Sequence, residues 1–148
     1  MAAMTGMEKR RTRVAAYVVL VNAGRIALCR LSPRVAHAAG RWTLPGGGVE
    51  FGEDPAMTVA RETREETGLT AVAHEVLHVG SKLTEWPEGE VHSIQLIYRG
   101  SLEGAPEPLV FEQNGSTDMC GWHPLQEVQA LPLTDVSKWA LTWALAQP

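Results

Sequence analysis

The sequence predicts one mixed α/β domain, because strands, a helix, further strands and a final helix follow one another along the chain. Three stretches carry this prediction. Residues 14–21 are an apolar run typical of a buried strand, residues 55–67 have helical spacing, and residues 91–102 alternate apolar and polar side chains. With 148 residues and no internal repeat or linker, the chain suits a single core.

The N-terminal part is predicted to be a tail followed by a hairpin. Residues 1–12 are basic and are expected to form a flexible tail, so the domain itself would span residues 13–148. The strand at 14–21 meets a turn signal at residues 22–24. Residues 25–30 alternate in polarity and are expected to pair with that strand.

A loop and a glycine-rich segment come next. Residues 31–41 are predicted to form a loop, and residues 42–45 a short extended segment. Three glycines at positions 46–48 free the backbone from Cβ hindrance. This segment is therefore suited to approach a ligand or another strand closely.

The central helix has recognisable ends. Asp54 is a good N-cap, Pro55 suits the first helical position, and Gly68 is a stop signal after Thr67. One face of this helix carries small side chains that are suited to packing. They are Ala56, Val59, Ala60 and Thr63. A different face carries charge.

The second half of the chain gives shorter signals. Strands are predicted at 69–83 and 91–102, separated by a loop at 84–90. The other predicted elements are, in order, an extended segment at 109–111, an irregular polar stretch at 112–121, an extended pair at 122–123, a short helix at 124–130 and a final helix at 136–146. Trp139 and Trp143 lie on one side of the last helix. Their spacing favours packing in the core, and a homodimer interface is the alternative.

Composition excludes several classes of protein. The net charge of −4 gives no general affinity for nucleic acid or anionic membranes. No apolar run reaches about 18 residues, so no membrane span is predicted and a cytoplasmic protein is expected. Cys29 and Cys120 are too few and too distant for a zinc site or a disulfide framework, and they are predicted to be small buried side chains.

Three carboxylates share one face of the central helix. Glu62, Glu65 and Glu66 stand at i, i+3 and i+4, which places their Cβ atoms about 5–6 Å apart. Such a cluster is an oxygen-only site that suits Mg²⁺ or Mn²⁺ rather than Zn²⁺. The helix alone also allows a solvated face on which Arg61 and Arg64 balance the glutamates.

The sequence around these glutamates resembles the Nudix box, the signature of the Nudix hydrolase superfamily. The box is Gly-x5-Glu-x7-Arg-Glu-U-x-Glu-Glu-x-Gly-U, with U apolar, and its seven fixed positions are Gly47, Glu53, Arg61, Glu62, Glu65, Glu66 and Gly68. Chance agreement at all of them is on the order of one in 10⁸ to 10⁹ per starting point. The one departure is Thr63 at an apolar position, where its methyl group can still pack.

This resemblance implies a mixed β-sheet sandwiched between α-helices. It also implies an enzyme that hydrolyses a phosphoanhydride bond in a nucleoside diphosphate linked to another moiety. Mg²⁺ is the implied cofactor, with Mn²⁺ as a substitute, because a divalent cation neutralises the phosphate oxygens and activates water. The implied partner is a small nucleotide, and nucleic acid is not expected except as a capped RNA end.

The resemblance also implies individual roles. The implied metal ligands are three side chains and one backbone carbonyl, those of Glu62, Glu65, Glu66 and Gly46. Arg61 is expected to orient Glu62, and Glu53 to hold Arg61 or a metal-bound water. The general base varies within the family, so it is either Glu62 or a carboxylate in a later loop. In that loop Glu112 is the preferred candidate for an extra ligand or base, and Asp118 the second.

Substrate contacts are less specific. Trp86, in the predicted loop at 84–90, is a candidate for stacking on a base. Arg30 and Arg41 are candidates for phosphate contacts. Thr84 stands near the position where ADP-ribose pyrophosphatases often carry a proline, so no subfamily is assigned. Nucleoside triphosphates, ADP-ribose, sugar nucleotides and dinucleoside polyphosphates all remain as candidate substrates.

Two other functions remain open on the same fold. One is a non-catalytic protein that binds nucleotides and regulates a partner. Such proteins often lack a glutamate of the box, and none is missing here. The other is isomerase or related chemistry in which the metal is used differently. An assay of several nucleotides with Mg²⁺ and Mn²⁺ distinguishes all three.

Overall fold

The computed structural model describes residues 9–107 and 115–148. Its elements are β1 (Lys9–Val19), β2 (Val21–Asn22), β3 (Arg25–Leu31), β4 (Trp42–Thr43), β5 (Gly46–Gly48), α1 (Pro55–Thr67), β6 (Thr70–Trp86), β7 (Gly89–Glu103), β8 (Thr117–Pro124), α2 (Leu125–Val128) and α3 (Asp135–Leu145). The predicted mixed α/β class is confirmed.

Two sheets organise these strands. The larger sheet has the order β5-β1-β7-β6, in which β1 and β7 are parallel and the other pairs are antiparallel. In the smaller sheet β3 pairs with β2, β4 and β8. The larger sheet is therefore mixed, as the resemblance implied.

Helices cover both faces of the larger sheet. Val59 of α1 packs with Ala16 and Val18 of β1 in one core cluster. Val136 and Ala140 of α3 belong to the other cluster, with Val19 and Ile97 from the opposite face of the sheet; side chains alternate between faces along a strand. The sheet thus lies between α1 and α3, and this arrangement confirms the predicted sandwich.

The ends of α1 agree with the sequence prediction. The side chain of Asp54 accepts a hydrogen bond from the backbone N–H of Ala56 at 2.9 Å. Gly68 adopts a left-handed conformation with φ of 78°, and its N–H donates to the carbonyl of Arg64. Because both ends are fixed by local contacts, the glutamates of this helix occupy a defined position.

The N-terminal prediction was partly wrong. The first strand begins at Lys9, inside the predicted tail, and residues 1–8 lie outside the described part of the chain. Residues 9–12 are polar and exposed, so their sequence shows no apolar run, but their backbone pairs with β7. The predicted hairpin forms between β2 and β3, whereas β1 pairs with β5 and β7.

Two later predictions also need correction. The predicted loop at 84–90 is a hairpin, in which only Pro87 and Glu88 form the turn and Trp86 ends β6. The polar residues at 84–90 suggested a longer loop, but two residues are enough to connect two antiparallel strands. The predicted irregular stretch at 112–121 contains the start of β8, while the extended segment predicted at 109–111 lies outside the described residues.

The cysteines were predicted only in part. Cys29 is fully buried, as expected, but it forms a disulfide with Cys120. The two residues stand directly opposite each other in β3 and β8, although 91 positions separate them in the sequence. Sequence spacing alone does not reveal such a pairing. Among the described residues, no helix is long and apolar enough to cross a membrane.

Candidate metal and nucleotide site

The glycine strand β5 brings the backbone close to α1. The N–H of Gly46 donates to Oε1 of Glu66 at 2.9 Å, and the side chain of Glu66 is almost completely buried. Gly46 has φ of 145°, and a Cβ at this position would collide with the backbone of Ala16. Only glycine therefore allows β5 to pair with β1 and hold Glu66 at the same time.

Glu62 lies against the next glycine. A Cβ on Gly47 would stand 2.8 Å from Cδ of Glu62 and 2.9 Å from its Oε1. The absence of a side chain at position 47 thus leaves room for this carboxylate. Two of the three predicted metal ligands, Glu62 and Glu66, therefore face the glycine segment.

Arg61 joins the carboxylates of this region. Its Nε and Nη2 donate to the two oxygens of Glu53 at 2.8 and 3.0 Å. Its Nη1 donates to Glu62 at 3.0 Å and to Glu65 at 3.5 Å, and Nη2 also reaches the carbonyl of Gly48 at 3.3 Å. The hydrogen bonds with Glu53, and after them the hydrogen bond with Glu62, raise the pKa of Arg61 above its ordinary value, so it stays charged.

Glu53 is fixed in its ionised form. Hydrogen bonds from Arg61, then from the hydroxyl of Thr58 at 2.6 Å, and a backbone hydrogen bond from Glu50 lower the pKa of Glu53 to about 2. Partial burial works in the opposite direction but is smaller. An ionised Glu53 holding Arg61 by two parallel hydrogen bonds fixes the plane of the guanidinium.

Two residues of β1 adjoin the site and were missed by the sequence analysis. Burial raises the pKa of the Tyr17 hydroxyl, and the negative charges of Glu66 and Glu62 add to the increase. The positive charge of Arg13, and to a smaller extent a hydrogen bond with it, oppose the increase. Arg13 also lies beside Gly48, since a Cβ there would be 2.9 Å from Nη2 of Arg13. The sequence feature that could have identified Arg13 is its position directly before the apolar run of β1.

The remaining predicted residues are distributed differently. Nε of Arg30 donates to Asp118 at 2.8 Å, and this bond raises the pKa of Arg30. Arg41 donates to the carbonyl of Leu133 at 3.2 Å. Trp86 contacts His37, with 4.8 Å between ring centroids. Glu112, the preferred loop carboxylate, lies outside the described residues.

The donor set suits a hard divalent cation. Glu62, Glu65 and Glu66 offer only carboxylate oxygens, the ligands that Mg²⁺ prefers. Within residues 9–107 and 115–148, no three His, Cys, Asp or Glu side chains already converge as a metal cage. Instead the guanidinium of Arg61 bridges Glu62 and Glu65. The three carboxylates therefore suit the ion chemically. In this structure the positively charged side chain of Arg61 lies between Glu62 and Glu65.

Comparison with known proteins identifies the family. The sequence model of the NUDIX domain family matches residues 10–144, which is most of the chain. The chain therefore belongs to the Nudix family, and the resemblance seen in residues 47–69 is confirmed.

Solved structures agree with this assignment. A MutT NUDIX hydrolase from Burkholderia pseudomallei is 30% identical, with a TM-score of 0.70 over 89% of this chain and 97% of that one. A MutT protein from Methanosarcina mazei Go1 is 25% identical, with a TM-score of 0.69 over 91% of this chain and 94% of that one. A NUDIX hydrolase from Nitrosomonas europaea, at 18% identity and a TM-score of 0.73 over 92% and 90%, supports the fold alone.

Curated relatives match over shorter stretches. An RNA pyrophosphohydrolase of Acidiphilium cryptum is 47% identical over 34% of this chain and 31% of its own length. A nucleoside triphosphatase NudI of an Enterobacter species is 30% identical over 60% of this chain and 65% of its own length. The matches thus span less than two thirds of these relatives. Their names nevertheless agree with the predicted enzyme class.

Proposed function

We propose that this protein is a Mg²⁺-dependent hydrolase that cuts a phosphoanhydride bond in a nucleoside diphosphate linked to another moiety. One observation carries the proposal. A single guanidinium, that of Arg61, contacts Glu53, Glu62 and Glu65 of the box. Glu66 is held at the adjoining glycine strand by the N–H of Gly46. A solvated helix face would not bury the carboxylate of Glu66.

The chain's own residues hold the reacting groups in this proposal. Glu62, Glu65 and Glu66 bind the cation, with the carbonyl of Gly46 as a further ligand. Arg61 fixes the carboxylate of Glu62, and Glu53 fixes Arg61. When bound, Mg²⁺ or Mn²⁺ neutralises phosphate oxygens and makes water more acidic. A carboxylate then accepts the proton of the attacking water.

The identity of that base has two leading candidates. Glu62 already stands beside Gly47 and is oriented by Arg61. Glu112 is the alternative that the sequence favoured among loop carboxylates. Asp118 is a weaker candidate, because its carboxylate accepts a hydrogen bond from Arg30 at 2.8 Å. Arg30 is for the same reason a weaker candidate for phosphate than Arg13, which lies at the glycine strand.

The substrate is proposed only as a class. Two relatives bear the names RNA pyrophosphohydrolase and nucleoside triphosphatase, and both names point to a nucleotide that carries a chain of phosphates. We therefore propose a nucleotide with a 5′ polyphosphate, ahead of ADP-ribose or a sugar nucleotide. A cytoplasmic location and a homodimer remain predictions from the sequence.

A substrate panel tests the proposal. Purified protein is incubated with Mg²⁺ or Mn²⁺ and with nucleoside triphosphates, ADP-ribose, sugar nucleotides, dinucleoside polyphosphates and 5′-triphosphorylated RNA, and released phosphate and nucleotide are measured. Turnover that needs the metal is expected. The E65Q and E66Q variants should lose it, because each loses a ligand charge and little volume.

The matched control is E75Q. Glu75 forms an exposed ion pair with Arg99 and lies on β6, so this variant makes the same chemical change away from the box. Mg²⁺ should also raise the midpoint of thermal unfolding of the wild type and of E75Q, but not that of E66Q, because a ligand that binds the folded state stabilises it. Full activity in E65Q or E66Q at saturating Mg²⁺ contradicts the ligand assignment. Nucleotide binding without turnover would support the regulatory alternative.

A further inference from the structure

The outer edge of β6 is open in the described part of the chain. β6 is an outer strand of the larger sheet, whose order is β5-β1-β7-β6. Among the described residues only β7 pairs with it, and the irregularities of that pairing lie between Ala73 and His78. Residues 78–86 therefore form a regular strand with one free edge. Such an edge is a template for pairing with another strand.

The regular section of β6 exposes apolar side chains on one face. Val79 and Leu83 are 57% and 65% exposed. Ser81 lies between them, and the three side chains share a face because side chains alternate along a strand. Val79 stands opposite Leu96, which packs against the core cluster beneath α1, so this is the α1 face of the sheet. Sheet edges are usually protected by charge or proline, and these three positions carry neither.

The helix α1 leaves this end of the sheet uncovered, because it packs on β1 farther along the strand. Val14, which precedes the covered part of β1, is 37% exposed. Ile94 of β7 stands between Val14 and Ser81 and is partly buried. The apolar strip that results runs from β1 to the open edge and consists of Val14, Ile94, Val79 and Leu83. Exposed apolar strips of this kind mark interaction sites.

The final helix, which the sequence offered as an alternative dimer interface, is engaged by its own core. Trp139 and Trp143 pack against the core cluster on the other face of the sheet. The ring of Trp139 also stacks on His78, with 4.7 Å between ring centroids. The apolar strip at β6 is therefore the better surface for a second copy of the chain.

The sequence of β6 is complementary to itself. Two copies of the strand can pair antiparallel about a two-fold axis, the commonest symmetry of protein dimers. Residues directly opposite each other in such a pair point to the same face. With the axis at Ser81, Val79 of each copy stands opposite Leu83 of the other, so an apolar pair forms twice. The paired segment is then residues 78–84, all within the regular section.

Charge and length argue against the other registers. An axis at Lys82 would pair residues 78–86, but it would set the two Lys82 side chains directly opposite each other and Val79 opposite Glu85. Like charges directly opposite each other destabilise a strand pair. An axis at Leu83 would leave Val79 beyond the regular paired segment, and an axis at Gly80 would do the same to Leu83.

The polar side chains tolerate the axis at Ser81. Lys82 would face Gly80 of the second copy, and each Lys82 keeps its own ion pair with Asp135 at 3.0 Å. The hydroxyl of Ser81 stands 2.7 Å from Nε2 of His92 in the same chain, so it has a hydrogen-bond partner when the edge is covered. The register with apolar pairs is thus also the one in which no charge faces a like charge.

We propose that two copies of this protein form a symmetric dimer in which their β6 strands pair antiparallel about Ser81. The two four-stranded sheets would join into one continuous sheet, with Val79 of each copy against Leu83 of the other. The glycine strand β5 lies at the opposite edge of the sheet, so the dimer leaves the candidate metal site open. The inference is independent of the proposed function.

Sedimentation velocity of the full chain over a range of concentrations tests the proposal by measuring the dissociation constant of the dimer. V79E/L83E sets introduced glutamates opposite each other. V79K/L83E sets an introduced lysine opposite an introduced glutamate in the same register. The control V21E/L145E makes the same replacements at Val21 and Leu145, which are 43% and 51% exposed and lie away from β6. All four positions are exposed, so the variants are expected to fold, and circular dichroism checks this.

Wild type and V21E/L145E should dimerise with equal dissociation constants. V79E/L83E should raise the constant at least about tenfold, because the like-charge pair occurs twice by symmetry. V79K/L83E should bind about tenfold more tightly than V79E/L83E. Equal weakening in V21E/L145E and V79E/L83E, or no gain from V79K/L83E over V79E/L83E, would overturn the assignment. A wild type that stays monomeric would also overturn it and would leave the proposed hydrolase unaffected.

A cysteine at the axis provides a second measurement. Residues opposite each other in an antiparallel pair have Cα atoms about 4.5–5.5 Å apart, which a disulfide can span. In S81C treated with oxidised glutathione, two thiols of two copies should become one disulfide, while the oxidant is reduced to two glutathione molecules. S101C is the control, because Ser101 is exposed on β7, away from the edge. A covalent dimer on a non-reducing gel is expected for S81C alone; equal cross-linking of both variants, or none in S81C, would overturn the pairing.

Discussion

Glu53 receives two parallel hydrogen bonds from Arg61, Nε to Oε2 at 2.8 Å and Nη2 to Oε1 at 3.0 Å. The remaining guanidinium nitrogen then points at Glu62, 3.0 Å away. Arg61 thus connects a carboxylate that is charged at neutral pH and one that is proposed to bind metal.

This connector predicts that arginine is required at position 61 and that a positive charge alone is insufficient. Lysine offers a single ammonium and does not reproduce the planar contacts of Arg61 with Glu53 and Glu62. R61K should lower kcat by about 10- to 100-fold, the usual effect of losing a group that orients a metal ligand.

Steady-state kinetics at several Mg²⁺ concentrations measure this effect. R64Q is the control, because Arg64 lies one turn along α1 and donates only to the hydroxyl of Thr70 at 3.0 Å among the described residues. A kcat of R61K within twofold of the wild type would show that Arg61 does not position Glu62.

A methyl group at position 47 should impair catalysis more than folding. The Cβ of G47A would lie 2.8 Å from Cδ of Glu62, and this carboxylate is the mobile end of a side chain, so it can move away at low cost. The midpoint of thermal unfolding should change little, while kcat or the apparent Mg²⁺ affinity should fall about tenfold or more.

G80A is the matched control for that substitution. A Cβ at position 80 would make ordinary contacts, at 3.7 Å, with Gln95 and His78. Unchanged kinetics in G47A would mean that Glu62 does not need its observed position, whereas equal losses in G47A and G80A would point to a general effect of adding a methyl group.

The ionisation of Glu53 predicts a pH dependence of stability. Its pKa is about 2 in the folded protein, below the ordinary value of 4.5, so the ionised group stabilises the fold. This contribution is complete above about pH 5 and is lost as the pH falls through 4.5 towards 2. The wild type should therefore melt above E53Q at pH 6, and the difference should shrink below pH 4.5.

Calorimetry from pH 6 to pH 2.5 measures the two midpoints. E85Q serves as the control, because Glu85 makes no ion pair among the described residues. A constant difference between wild type and E53Q across this range would contradict the assigned ionisation.

The disulfide predicts sensitivity to reducing agents. A bond between Cys29 and Cys120 closes a loop of 91 residues and restricts the unfolded chain. Its loss typically costs about 2–4 kcal/mol. Urea unfolding of the wild type should shift to lower concentrations when a dithiol is added, and that of the C29A/C120A variant should not respond. A wild type equally stable with and without the dithiol would show that the bond is absent in solution.

Local signals explain what the sequence predicted well. The ends of α1 depend on Asp54 and Gly68, whose contacts reach only a few residues, so they were predicted to the residue. The box places its glutamates on one helix face by spacing alone. The glycine strand was also recognisable, because three adjacent glycines are informative without knowledge of their partners.

Long-range pairing explains the rest. Trp86 was assigned to a loop because Pro87 and Gly89 lie next to it, yet β6 and β7 need only two turn residues between them. The partner of Cys29 lies in β8, and no local pattern announces it. The cations of β1 resembled a tail because their strand identity depends on backbone pairing with β7. In the candidate site, Arg13 was missed for the same reason.

The parallel pairing of β1 and β7 affects the order in which the protein is assembled. Arg10 and Glu90, which join the two strands by a salt bridge, are 80 residues apart, so β1 is synthesised long before the strand that completes its ladder. Until then its edge is open, and an open edge invites pairing with another nascent chain. Lys9, Arg10 and Arg11 repel an identical strand. These positive charges therefore help to keep the unfinished protein from aggregating.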